Sequence, residues 1–179
     1  MNKNISIPRW LQEFHGEKAS LLSLTATYVA GSAVGLFVYL SAEGLEGWQM
    51  ALGVGLALDI GGGVVANFSA STTRYYLTRP RFRWIFITLH LAHPLLLWIL
   101  FDNQWILVIG ATTLLFTGIT NRVAAEDNQR VVAASLVLTN LLFIYYLFSN
   151  EVLLLLLTCY SLKLIVAFAV RWNDDVSLR

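Results

Sequence analysis

The sequence predicts an all-α, polytopic integral membrane protein with six transmembrane helices, and three observations carry that prediction. Composition is the first: 57% of the 179 residues are hydrophobic, 13% are charged and mean hydropathy is +0.65, outside the balance of a water-soluble domain. Run length is the second. A helix needs roughly 20 mostly apolar residues to cross about 30 Å of hydrocarbon, and six runs of that order lie between charged punctuation. The third is that Lys and Arg between the runs fall on alternate connections only.

Taken in order, residues 1–19 form a cytoplasmic N-terminal segment. Ile5, Ile7, Trp10, Leu11 and Phe14 among charges suit either an amphipathic strip at the inner interface or a solvated tail. Residues 20–172 form the transmembrane domain and 173–179 a cytoplasmic tail. The first run, 20–40, is too long for a cleavable leader and lacks a small-x-small site at its end. The second, 48–69, carries five glycines between Gly53 and Gly63. These suit a small-residue packing seam or an unwound segment of the kind found in broken transporter helices. The third run, 84–101, turns into the fourth, 104–120, with only Asp102, Asn103 and Gln104 between them, which demands a tight antiparallel hairpin. Ser149 and Asn150 do the same between the fifth run, 131–148, and the sixth, 152–170. Trp48, Trp84, Trp98, Trp105 and Trp172 fall near run ends, as an interfacial belt requires.

Orientation follows from the basic residues. Lys3, Arg9 and Lys18 precede the first run; Arg74, Arg79, Arg81 and Arg83 separate the second and third; Arg122 and Arg130 separate the fourth and fifth; Arg171 and Arg179 follow the sixth. The opposite connections carry Glu43, Glu46, Asp102 and Glu151 without Lys or Arg, so both ends face the cytoplasm. The expected location is a cell membrane, the bacterial inner membrane in particular, given the compact length and the lack of organellar signals. Two sets of three spans would run in opposite senses, which allows an inverted repeat. It would pair Thr25 and Thr27 with Thr112 and Thr113, Asp59 with Asn140, and the third-run histidines with Ser161 and Lys163.

Charge inside the runs marks the candidate site. Lys163 lies roughly 18 Å from the outer end of the sixth run, and Asp59 roughly 16 Å from the outer end of the second, at 1.5 Å per residue. An ammonium at mid-membrane is costly, so it should face the bundle and find an anion. The matching depths predict a charge pair that serves either a substrate or proton path or the structure alone. His90 and His93, at i and i+3, reach the same level and precede Pro94, which deprives the His90 carbonyl of its helical donor. Two imidazoles and a carboxylate suit a proton relay, a Zn or Fe site with one open position, or plain core packing. Asn67, Thr113 and Asn140 add neutral polar groups at or near that level.

Two function classes follow. The leading expectation is a small transporter, channel or membrane-embedded substrate-binding subunit whose path uses Asp59, Asn67, His90, His93, Thr113, Asn140 and Lys163. The alternative is an intramembrane metal-dependent hydrolase acting on a lipid or isoprenoid, with His90, His93 and Asp59 holding the ion and Lys163 polarising the leaving oxygen. Arg74, Arg79, Arg81 and Arg83, interleaved with aromatics, suit contact with anionic headgroups. The partners implied are the bilayer, a small molecule, ion or lipid, and a second copy or partner membrane subunits. The net charge of +1 gives no basic field for nucleic acid, and the single cysteine, Cys159, builds neither a disulfide framework nor a cysteine metal site.

Overall fold

The computed structural model describes residues 4–123 and 125–171; Lys3, Trp172, Arg179 and the tail 173–179 lie outside the described residues. The order is β1 (Asn4–Ser6), a 3-10 turn (Arg9–Leu11), α1 (Gln12–His15), β2 (Lys18–Ser20), α2 (Leu21–Ser41) and α3 (Trp48–Asn67). There follow α4 (Ala70–Leu77), α5 (Pro80–Leu89), α6 (Ala92–Phe101), α7 (Trp105–Arg122), α8 (Glu126–Leu147), α9 (Glu151–Ser161) and a π-helical segment (Leu162–Phe168).

Among the described residues, five helices are long and apolar enough to cross a membrane: Leu21–Ser41, Trp48–Asn67, Pro80–Phe101, Asp127–Leu147 and Glu151–Phe168. The fourth predicted run is α7, whose 18 residues include Thr112, Thr113, Thr117, Thr120, Asn121 and Arg122 and so fall short of the apolar content of the other five. Its threonines bond back along their own helix, Thr112 Oγ1 to the Val108 carbonyl at 2.7 Å and Thr113 Oγ1 to that of Ile109 at 2.8 Å.

The last helix is the axis of the bundle. Glu151–Phe168 is 61% buried, against 22% for Leu21–Ser41, and Leu156, Leu157 and Tyr160 on it are fully enclosed. At the edge, α2 packs on α3 through small residues. A Cβ on Gly31 would stand 2.8 Å from the Leu58 carbonyl oxygen, and one on Gly62 3.1 Å from that of Thr27. Gly61 and Gly62 of the second run thus pack on α2 as a small-residue seam, while Gly63 faces Lys163 and Gly55 open space; α3 is unbroken from Trp48 to Asn67, and the unwound alternative does not occur.

Two connections differ from expectation. The stretch between the second and third runs contains α4, capped by Ser69 Oγ on the Thr72 N–H, and α5 begins at Pro80, where a missing N–H costs nothing. Arg81 and Arg83 therefore ride on a helix. The described part of the N-terminal stretch is folded. β1 and β2 pair antiparallel, Asn4 opposite Ser20, and bracket α1, which docks on α4 through Thr72 Oγ1 to the Phe14 carbonyl (3.1 Å) and Tyr76 Oη to that of Glu13 (3.0 Å). The tight hairpins are present: Asp102 adopts φ 45° between α6 and α7, and Asn150 Oδ1 caps α9 by accepting the Leu153 N–H at 3.0 Å.

Candidate functional site

Asp59 sits mid-way along α3, and Lys163 is the second residue of the π-helical segment beside it. Lys163 Nζ donates to Asp59 Oδ2 at 2.7 Å and to the Asp59 carbonyl at 3.3 Å, with the lysine 2% exposed. Gly63, one turn on, leaves room for this: a Cβ there would stand 2.8 Å from Nζ. From α6, His93 Nε2 reaches the same Oδ2 at 2.5 Å. One carboxylate oxygen thus serves two donors from two other helices, while among the described residues none bonds Oδ1. The Asp59 side chain is 35% exposed.

The break between α5 and α6 sets the histidines. Pro94 removes the donor that would bond the His90 carbonyl in a regular helix; that carbonyl instead accepts the Tyr160 hydroxyl at 2.9 Å and the His93 N–H at 3.2 Å. His90 Nδ1 lies 2.7 Å from the Phe86 carbonyl, a pure acceptor, so Nδ1 carries the proton and Nε2 holds a lone pair. That Nε2 is buried without a partner, as is His93 Nδ1. The two rings stack, centroids 4.8 Å apart and planes 8° from parallel. Ligand atoms of Asp59, His90 and His93 all lie within 4.8 Å of one another, a donor set suited in type to a divalent ion. The Lys163 ammonium and His93 both hold Oδ2, so Oδ1 is the carboxylate oxygen left to such an ion.

Two cavities meet at this cluster. The larger, about 440 Å³, lies between α2, α3 and α5; the smaller, about 350 Å³, lies between α3, α4 and α6. Asp59, His90, Gly55, Phe86 and the N-terminal Glu13 and Phe14 line both. Asn67 lines the larger and donates through Nδ2 to the Lys163 carbonyl at 3.2 Å. Thr113 and Asn140 line neither. Asn140 Nδ2 bonds Thr113 Oγ1 and Ser161 Oγ, both at 2.8 Å, in a fully buried knot against α9.

The four arginines part company. Arg74 and Arg81 are exposed, and Arg79 pairs with Glu17 at 2.7 Å. Arg83 is buried and turned inward, bonding Asn121 Oδ1 and donating to the carbonyls of Phe168 (2.6 Å) and Ala169 (2.8 Å), where it caps the end of the π-helical segment. Sequence reasoning also passed over Tyr160, although it stands three residues before Lys163 and so shares its face. His15, buried against the Tyr28 hydroxyl at 3.1 Å, was passed over as well.

Fold and site together define a mostly helical bundle compatible with a membrane protein and centred on a carboxylate held by a lysine and a histidine. Comparison with protein-family models, curated proteins and solved structures yields no match.

Proposed function

We propose that the chain is a small multi-pass transporter of a cell membrane, with both ends in the cytoplasm, α7 as its sixth span and Asp59 as the group that exchanges partners during transport. One observation carries this reading: Asp59 gives a single oxygen to both Lys163 and His93 while opening onto two cavities. A purely structural pair gains nothing from solvent access, since water weakens it. A carboxylate that must pass between an internal base and an incoming ligand needs both features. The inverted-repeat reading has support as well. Thr27, Asp59 and His90 gather around one cavity, and Thr113, Asn140 and Ser161 form their own knot, each set drawn from one half of the chain.

Reconstitution in liposomes with an internal pH dye tests the proposal. Asp59→Asn should cut proton flux driven by an imposed gradient to that of empty vesicles. A folded Asp59→Asn protein with undiminished flux would sink it.

The metal-enzyme reading retains one specific support, the Asp59, His90 and His93 ligand atoms within 4.8 Å of each other with His90 Nε2 unpartnered. Stoichiometric Zn or Fe in protein purified without chelators, lost in a His90→Ala, His93→Ala double variant, would favour it over transport.

A further inference from the structure

The cavities themselves say what kind of molecule the site takes. Of the two charged partners, the acid is the accessible one: the Asp59 side chain is 35% exposed and that of Lys163 only 2%. The other charged side chain lining both cavities is again an acid, Glu13. Among the described lining residues no arginine appears, and Lys163 lines the larger cavity only; the rest is mostly apolar and aromatic, with Phe14 and Phe86 shared by both cavities and Thr27, Ser32 and Asn67 as neutral polar groups in the larger. Carboxylates with aromatic faces in an apolar pocket recognise a cationic centre on an apolar body.

We infer that the site binds a lipophilic organic cation, an amine or quaternary ammonium or phosphonium. The inference rests on the transporter reading and names its substrate class. Lys163 and His93 both bond Asp59 Oδ2, so Oδ1 is the atom that an incoming cation meets. Phe14 and Phe86 line both cavities onto which that carboxylate opens and offer aromatic faces to the apolar body of the cation.

The experiment uses the full chain in lipid nanodiscs, with empty nanodiscs subtracted, and a pair of probes of like shape and opposite charge, tetraphenylphosphonium and tetraphenylborate. The expected result is saturable phosphonium binding that Asp59→Asn abolishes. Should that variant fail to fold, Gly55→Leu serves instead. Its Cβ meets nothing within 4 Å, so it should keep the thermal stability of the native chain while its side chain projects into the space that both cavities share and weakens probe binding. Preferential binding of the borate, or full phosphonium affinity in Asp59→Asn, overturns the inference. Proton flux that depends on Asp59 with no phosphonium binding would overturn the cation class and leave the transporter standing; loss of both results removes both.

Discussion

Gly63 shows how finely the charge pair is seated. The lysine side chain lies flat across it, and the smallest possible substituent would collide with the carbon and nitrogen atoms at the lysine's tip. Gly63→Ala should therefore push the tip of Lys163 from its seat on Asp59 and lower stability. Gly55→Ala, on the same helix with open space around its Cβ, should be neutral or slightly stabilising. Thermal unfolding in detergent of the two variants side by side checks the contrast, and equal behaviour would remove the argument. At this scale the sequence was legible where physics makes a residue expensive. Asp59 and Lys163 stand out in apolar runs because an unpaired charge there is untenable. Tyr160 did not stand out, since a tyrosine in an apolar run is ordinary, and only the proline-freed carbonyl of His90 explains why its hydroxyl is needed.

Elements carry the next level of constraint. The π-helical segment is held by outside donors, Asn67 on the Lys163 carbonyl and Arg83 on those of Phe168 and Ala169. Arg83→Met should leave those two carbonyls and the Asn121 oxygen unsatisfied, a loss of roughly 3 kcal/mol or more. Exchange of the 164–169 amides should rise with it, read by hydrogen–deuterium exchange; unchanged protection would show the cap to be idle. Arg83 was read as a loop charge because counting basic residues between apolar runs ignores where the helix begins. Pro80 held the missing information, since proline at the first helical position places Arg83 one turn inside. The N-terminal hairpin supplies a pH test. Burial lowers the pKa of His15 from its ordinary 6.5, so the docked segment binds fewer protons than the free one. Docking is then complete above about pH 6.5 and weakens as pH falls below it. Amide protection across 12–20, corrected for intrinsic rates, should drop between pH 7.5 and 5.5, and His15→Asn should flatten the change.

For the molecule as a whole, apolar run length was the most legible property and helix contacts the least. Five of the six predicted runs match helices long and apolar enough to cross a membrane, because length and hydropathy are all that a span needs. Which faces meet was hidden, since a helix bathed in lipid is apolar outside as well as inside, and an all-round apolar helix offers no stripe to read. Thr113 and Asn140 therefore shared a predicted level with Asp59 yet line neither of its cavities. Cysteine scanning in intact cells tests the remaining topology in a Cys159→Ser background. Residues replaced at 44 and 103 should react with an impermeant thiol reagent from outside, and those at 78 and 125 only after the membrane is opened. Labelling of all four from one side would refute the proposed orientation.

The separation of Asp59 from Lys163 also bears on how the protein is made. The acid emerges 104 residues ahead of its base. At synthesis rates of roughly 5–20 residues per second, α3 waits roughly 5–20 seconds without the ammonium that neutralises it. During that interval His93, 34 residues after Asp59, is the nearer of its two partners in the chain, and the ammonium comes only with the final helix. A chain ended after α8 never gains that ammonium and lacks the most buried helix of the bundle, so the fold and its charge pair are completed together by the last segment made.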